Sequence, residues 1–184
     1  QQPHPPIRMA ASTSETYAMI GTLGLPIFVS ARTVPWTEFG PGIQRYREAF
    51  AAAGHEGEGE VYVSVPVYLS DSDARAQAEL EASIMSFYRY QANLQADSAA
   101  RSGAGGAARA SRADRLRNLT YAQALERYLL VGTPETVAAA LRAREAELGI
   151  SGILAELNCG GLVPQAQVMN ALQLLCREVM PRFR

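Results

Sequence analysis

Residues 3–16 read PHPPIRMAASTSET, a short apolar strand that leads at once into a hydroxyl-rich helix start. The unpaired N–H groups and the partial positive charge of a helix N-terminus bind anions, and neighbouring hydroxyls add hydrogen bonds. The pattern therefore predicts a phosphate-binding turn at residues 12–16. Ser14, Glu15 and Thr16 would serve equally well as an ordinary helix cap, so both interpretations stay open at this point.

Composition limits the classes of function. With 184 residues and 48% hydrophobic content, the chain can bury the core of one domain. A net charge of -1, from 17 basic and 18 acidic residues, disfavours nucleic acid and acidic membranes as partners. Every basic residue is Arg, which excludes lysine Schiff-base chemistry. Cys159 and Cys176 are too few for a disulfide framework or a zinc cluster, which predicts no metal site and a cytoplasmic location.

The predicted elements alternate along the chain. Strands are predicted at residues 7–11, 25–30, 60–69 and 152–158, and helices at 14–23, 43–53, 71–90, 121–130, 133–148 and 164–180. This order of strand and helix predicts a parallel sheet with right-handed crossovers. Both an open doubly wound sheet and part of an eight-stranded barrel satisfy it. No GxGxxG follows a strand, which weakens the dinucleotide-binding form of the open sheet.

Residues 96–115 differ from the rest of the chain in composition. They are rich in Ala, Gly, Ser and Arg and contain no large apolar side chain. Such a segment buries too little surface to offset the entropy of ordering it. We expect a mobile insertion within a single domain that spans residues 1–184, and the insertion could act as a lid over the site.

Seven motifs, in their order along the chain, resemble the bacterial luciferase-like family of flavin-dependent monooxygenases, whose fold is an eight-stranded α/β barrel. They are PHPPI (3–7), AASTSET (10–16), GLP (24–26), YREAF with GH (46–50 and 54–55), VGTPE (131–135), NCGG (158–161) and EVMPRF (178–183). By this resemblance the chain is the carboxy-terminal half of a TIM-type barrel, with about four strand–helix units.

The resemblance implies a cofactor site in the turn at residues 12–16. Thr13 and Thr16 match the family's hydroxyl positions for the phosphate of reduced FMN, and Ser12 and Ser14 lie beside them. Arg8 could add a charge, although an ordinary ion pair is the expectation for it. Trp36, in the loop after the second predicted strand, could contact the substrate or a lid, or pack in the core.

The resemblance also implies the chemistry, in which reduced FMN and O2 oxygenate a small organic substrate, with a flavin reductase as partner. The alternatives are a deazaflavin-dependent oxidoreductase of the same superfamily and a non-catalytic half-barrel that binds flavin or serves assembly. Catalytic residues cannot be assigned, because the family's first half carries the candidates for acid and base. The chain starts at Gln1 rather than Met, so we expect an upstream part to have been removed.

Four strands do not close a barrel, and they leave two free sheet edges. We therefore expect this chain alone to be inactive. Either the amino-terminal half of the same barrel or a second copy of the chain should cover the free edges, and the second alternative predicts a homo-oligomer.

Overall fold

The computed structural model describes residues 4–101 and 105–183, which form five strands and seven α-helices. The strands are β1 (Met9–Ala10), β2 (Ile27–Ser30), β3 (Val61–Leu69), β4 (Leu130–Gly132) and β5 (Gly152–Glu156). The helices are α1 (Ser14–Thr22), α2 (Gly40–Ala52), α3 (Asp73–Arg101), α4 (Gly106–Arg117), α5 (Tyr121–Arg127), α6 (Pro134–Leu148) and α7 (Gln165–Leu174). The alternation of parallel strands and helices confirms the predicted α/β fold.

Two stretches differ from the prediction in secondary structure. The third predicted helix extends beyond residue 90 to Arg101, and α4 covers much of the segment expected to lack structure. Ala and Arg are strong helix formers, and the small side chains of Ala92 and Ala113 are 1% exposed where the two helices meet. Residues 102–104 of this segment lie outside the described residues, and its mobility stays a prediction. The short strand β4 was missed, because three residues carry too little pattern.

The chain divides into two compact units, and strand β3 passes from one to the other after Val65. Unit 1 contains Gln1–Val65 and Leu141–Ala155. Unit 2 contains Pro66–Ala140 and Glu156–Arg184.

Unit 1 is built on the first part of the sheet. Met9 of β1 lies beside Ile27 of β2, and Ile27 lies beside Val61 of β3. The chain just before β5 is also bonded to β3, because the Ser151 N–H donates to the Val61 carbonyl at 2.7 Å. Ile27 and Val61 are fully buried. Helices α1 and α2 pack closely because Gly21 has no side chain, and a Cβ there would overlap the backbone of α2.

Unit 2 pairs the second part of β3 with β4, in the register Val67 to Leu130. Helices α3 and α6 begin beyond the ends of these two strands and are joined by one carboxylate. Asp73 accepts hydrogen bonds from the Thr133 N–H at 2.7 Å and the Thr136 hydroxyl at 3.1 Å. The Asp73 side chain therefore fixes the amino end of α3 to that of α6, where a negative charge is favoured.

A partly buried polar cluster in unit 2, formed by Tyr68, Arg75 and Glu79, stabilises the start of α3. Glu79 accepts hydrogen bonds from the Tyr68 hydroxyl at 3.0 Å and from Arg75 Nε at 2.7 Å. Burial alone would raise the pKa of Glu79, but the hydrogen bonds from Arg75 and Tyr68, with the Arg75 charge, outweigh burial and hold the pKa below its ordinary value. Burial and the neighbouring Glu79 both raise the pKa of Tyr68. The cluster therefore prefers a charged Glu79 and a neutral Tyr68.

The lowered pKa of Glu79 predicts a loss of stability in acid. A carboxyl group with a depressed folded-state pKa stabilises the fold above its unfolded-state pKa, and this contribution disappears as the pH falls through the folded-state value. We expect Glu79→Gln to lower the free energy of unfolding at pH 7 by about 1–2 kcal/mol. The variant should also lose less stability than the wild type between about pH 5 and pH 3.

Urea denaturation at several pH values measures this difference. Glu126→Gln is the matched control, because Glu126 is exposed on α5 and forms only a long ion pair with Arg127, at 3.9 Å. The control should keep the pH dependence of the wild type. An unchanged acid slope in Glu79→Gln would contradict the assigned role of the carboxylate.

Candidate functional site

The β1–α1 turn, residues 11–16, joins the carboxyl end of a strand to the amino end of a helix. Strand β1 ends at Ala10 and helix α1 begins at Ser14, so the helix start lies directly beyond the strand. Residues 12–15 are exposed and Thr16 is half-buried. Ligands of parallel α/β folds bind beyond the carboxyl ends of the strands. The turn is therefore in a suitable place for a ligand, and its surface is open.

Two threonines set the shape of the β1–α1 turn. Thr13 is the N-cap of α1, and its hydroxyl accepts the Thr16 N–H at 3.4 Å. The Thr16 hydroxyl accepts the N–H of Thr13 at 3.0 Å and of Ser12 at 3.2 Å, and it donates to the Thr13 carbonyl at 2.8 Å. The Thr16 hydroxyl is thus occupied within the turn. Its role in the structure is capping, which the sequence also allowed, and a contact of Thr13 or Thr16 with phosphate stays a prediction.

The remaining donors of the turn lie at the first helical residues. The first helical hydrogen bond runs from the Tyr17 N–H to the Thr13 carbonyl, so the amides of Ser14 and Glu15 precede regular helical bonding. A hydrogen bond from its own N–H lowers the pKa of Glu15, and the Thr13 hydroxyl and the Arg45 charge lower it further against slight desolvation. The turn therefore stabilises a negative charge, which is at present the Glu15 carboxylate.

Arg45 also lies at the β1–α1 turn, which the sequence did not indicate. It lies on α2, and its Nη1 donates a hydrogen bond to the Ser14 hydroxyl across 31 positions of sequence. Its charge also acts on Glu15. The close packing of α1 on α2 at Gly21 brings the guanidinium to the turn. Nothing in the local pattern of residues 40–52 distinguishes Arg45 from Arg47, so only the tertiary packing identifies it.

Arg8 packs against Tyr62 rather than adding its charge to the β1–α1 turn. Its guanidinium stacks on the ring of Tyr62, with Cζ 3.8 Å from the ring centroid. The Tyr62 hydroxyl in turn donates to Glu60 at 2.8 Å. A cation–π contact thus takes the place of the expected ion pair, at the amino-terminal end of the paired strands.

Trp36 packs in the core of unit 1. It lies in a short 3-10 helix, Trp36–Glu38, and only 2% of the residue is exposed. Its ring meets Phe39 edge to face at a centroid distance of 6.1 Å, and Arg144 Cζ lies 5.4 Å from its centroid. These contacts match the packing interpretation, and a contact with substrate stays a prediction.

The loop after β5 is held by side chains of unit 2. The Ser83 hydroxyl donates to the Cys159 carbonyl at 2.7 Å and accepts the Leu162 N–H at 3.0 Å. The Asn158 amide bonds both the N–H and the carbonyl of Val163, at 3.1 and 3.2 Å. Motif NCGG therefore forms a rigid turn packed on α3.

Neither cysteine has the surroundings of a nucleophile. Cys159 is buried, as expected for a structural thiol, with Sγ 3.5 Å from the Glu156 carboxylate. The predicted helix over residues 164–180 carries Cys176 on its apolar face, which predicts a buried side chain; this prediction is wrong, because Cys176 is exposed. A π-helical turn, Leu175–Val179, shifts the register of the last helix, so that Leu175 and Val179 are buried instead of Cys176.

Residues 4–101 and 105–183 contain neither a metal-binding cluster nor a membrane-spanning helix. In that part of the chain no group of three or more His, Cys, Asp or Glu side chains could hold a metal ion. None of the helices there is long and apolar enough to span a membrane.

Comparison with known proteins identifies a family. The family model of luciferase-like monooxygenases matches residues 1–152. No curated protein matches the chain.

Solved structures match the fold over nearly the whole chain. Monooxygenase RslO1 from Streptomyces bottropensis is 21% identical with a TM-score of 0.68, covering 100% of this chain and 50% of that one. The oxygenating constituent of 3,6-diketocamphane monooxygenase from Pseudomonas putida, in complex with FMN, is 20% identical with a TM-score of 0.71, covering 96% and 48%. The coenzyme F420 dependent tetrahydromethanopterin reductase of Methanopyrus kandleri is 14% identical with a TM-score of 0.66, covering 97% and 51%. The chain thus spans about half the length of these structures, which confirms the predicted half of a TIM-type barrel.

Proposed function

We propose, since this chain belongs to the luciferase-like monooxygenase family, that it forms the phosphate-binding half of a flavin-dependent monooxygenase acting on a small organic substrate. The observation that carries the proposal is the open β1–α1 turn, within the matched residues, where a helix start and Arg45 favour an anion. Arg45, the Ser14 hydroxyl and the amides of Ser14 and Glu15 form a donor set that fits a phosphate dianion.

In this proposal the residues of the chain bind and orient the cofactor. Arg45 and Ser14 hold the phosphate, and the capping bonds of Thr13 and Thr16 keep the turn in the required shape. Glu15 must swing away from the first-turn amides, which its exposed position allows. Bound reduced FMN supplies the electrons with which O2 is activated for oxygenation.

The chain is proposed to work with partners. A complementary half-barrel supplies the rest of the flavin site, because the chain spans about half the length of the structures it matches. A flavin reductase supplies reduced FMN. The presence of only two cysteines in 184 residues favours a reducing cytoplasm. This chain alone is expected to bind flavin phosphate and to lack activity.

Two alternative functions rest on specific observations. Two of the similar structures carry coenzyme F420 in their names, which favours a deazaflavin-dependent oxidoreductase as the second candidate. The half-length match favours a non-catalytic flavin-binding or assembly module as the third.

Titration with flavins tests the proposal. We expect the wild-type chain to bind FMN at least about tenfold more tightly than riboflavin, because charge-assisted hydrogen bonds to the phosphate are absent with riboflavin. Quenching of flavin fluorescence measures both affinities, and a deazaflavin phosphate ester forms the third arm. Equal affinities for FMN and riboflavin, or no binding of either, would reject the phosphate site. Oxygenation of aldehydes by the isolated chain with reduced FMN would instead reject its expected inactivity.

A further inference from the structure

Helix α2 begins beside the β1–α1 turn, and the Tyr17 side chain of α1 packs against this beginning. We propose that the Tyr17 hydroxyl and the first-turn amides of α2 bind the same phosphate as the β1–α1 turn, and that the completed site selects a terminal phosphate monoester. This inference rests on the proposed function, because it names the class of cofactor that the phosphate site takes. It favours FMN over FAD and coenzyme F420, in which each phosphate links two parts of the molecule.

Two contacts place the start of α2 beside the start of α1. Arg45 Nη1 of α2 donates a hydrogen bond to the Ser14 hydroxyl of α1. A Cβ on Gly42 would lie 2.7 Å from Cζ of Tyr17, so the Tyr17 ring lies directly against the backbone of α2. Residues at positions i and i+3 share one face of a helix, as Ser14 and Tyr17 do on α1. The contacts therefore bring two helix N-termini, both with a partial positive charge, to one place.

The Tyr17 hydroxyl is a buried donor without a partner in the fold. Only 8% of the residue is exposed, and within residues 4–101 and 105–183 its hydroxyl forms no hydrogen bond. Cζ carries the hydroxyl and is the atom nearest to the Cβ position of Gly42, so the hydroxyl lies at the first turn of α2. Burial raises the pKa of Tyr17, which keeps the phenol protonated and able to donate. Because buried polar groups normally have a partner, this donor indicates a ligand.

The start of α2 adds backbone donors and no negative charge. The first helical hydrogen bond runs from the Ile43 N–H to the Phe39 carbonyl, so the amides of Gly40 and Gly42 precede regular helical bonding. In the part of the chain that the structure describes, no side chain caps this helix end, and its first turn contains no acidic residue. A Cβ on Gly40 would meet nothing within 4 Å. The end of the helix is therefore open to an anion.

Charge and the number of donors favour a terminal monoester. Each helix N-terminus carries about half a positive charge, so the two helix ends together with the Arg45 guanidinium carry about +2. A phosphate monoester carries about -1.5 to -2 at pH 7 and has three free oxygens. A phosphate that links two groups carries one negative charge and has two free oxygens. The donors of α1, α2, Arg45 and Tyr17 thus match the monoester, once Glu15 has withdrawn as the proposed function requires.

Flavin titrations of the wild-type chain and of Tyr17→Phe test the inference. Tyr17→Phe removes a hydroxyl that bonds no described residue, so the urea midpoint should not change. We expect this variant to bind FMN about tenfold more weakly and riboflavin with unchanged affinity. Tyr88→Phe is the matched control, because the Tyr88 hydroxyl in unit 2 is also buried and has no hydrogen-bond partner among the described residues. Its FMN affinity should equal that of the wild type.

A third flavin tests the selection of the phosphate class. The wild-type chain should bind FMN at least about tenfold more tightly than FAD, which has no terminal phosphate. Equal affinities for FMN and FAD would overturn this selection.

The outcomes separate this inference from the proposed function. Equal wild-type affinities for FMN and riboflavin reject the phosphate site itself and this inference with it. A wild-type preference for FMN over riboflavin that Tyr17→Phe leaves intact overturns only the role of Tyr17. A loss of both FMN and riboflavin binding in Tyr17→Phe, or weaker FMN binding in Tyr88→Phe, would mean that the lost hydroxyl acts through the fold, and it would overturn that role as well.

Discussion

Arg45→Ala is expected to weaken FMN binding by about tenfold while leaving riboflavin binding unchanged. A hydrogen bond to a charged group contributes about 1.5–3 kcal/mol, and each 1.4 kcal/mol is a factor of ten in affinity. Arg45 is exposed, so solvent screening places the effect at the lower end of that range. Because riboflavin has no phosphate, the ratio of the FMN and riboflavin affinities isolates the contribution of the Arg45 guanidinium to phosphate binding. Flavin fluorescence at low and high salt measures it, and the difference should shrink at high salt.

Three further substitutions make the prediction specific. Arg117→Ala changes the net charge equally but lies in unit 2, where Arg117 pairs with Asp114, so FMN affinity should not change. Arg45→Lys should keep part of the affinity, because it retains the charge and loses the planar fork. Glu15→Gln should strengthen FMN binding, because it removes a negative charge that competes for the Ser14 and Glu15 amides.

Arg45→Ala and Glu15→Gln are expected to change the FMN affinity in opposite directions, and the two results together decide the role of Arg45. If Arg45→Ala weakens FMN and riboflavin equally, the residue supports the fold of the turn through Ser14 rather than the phosphate. If Glu15→Gln weakens FMN binding, the carboxylate holds the turn in shape, and the phosphate does not take its place. The first result would leave the Ser14 hydroxyl and the amides of Ser14 and Glu15 as the donors of the proposed site, and the second would keep Arg45 among them.

The sequence could predict the order of the fold because strand and helix carry different periodicities. Each of the four predicted strands contains an observed one, since runs such as residues 60–69 are apolar, β-branched and aromatic. Strand β4 has only three residues and owes its existence to pairing with β3, which no local pattern encodes. The extension of α3 to Arg101 follows from the high helix propensity of Ala and Arg. The prediction considered only the lack of large apolar residues and did not take this propensity into account.

The β1–α1 turn could also be predicted, but the side chains that surround it only in part. A strand followed by hydroxyl residues located the β1–α1 turn, because capping is local in sequence. Arg45 reaches the turn only through the packing of two helices, so its 31-residue separation from Ser14 hides it. The exposure of Cys176 depends on a π-helical turn that shifts the register, and the apolar periodicity does not reveal such a shift.

Gly160→Ala is expected to destabilise the protein by about 3–4 kcal/mol. Gly160 has φ +94°, a conformation that costs a residue with a Cβ about 1–2 kcal/mol. A Cβ there would also overlap the carbonyl of Ser83 on α3. The loop must then move away, which breaks the hydrogen bonds of Ser83 with Cys159 and Leu162, each worth about 1 kcal/mol. Urea denaturation should show a lower midpoint at an unchanged slope.

Gly161→Ala separates the two causes. Gly161 has φ +74°, and a Cβ there meets nothing within 4 Å, so only the backbone strain of about 1–2 kcal/mol remains. The difference between the two substitutions is therefore the cost of separating the NCGG turn from α3. Equal losses in both variants would mean that the turn is loosely held and that the hydrogen bonds of Ser83 contribute little. A large loss only in Gly160→Ala would instead identify that contact as a main support of unit 2, since total stabilities are about 5–15 kcal/mol.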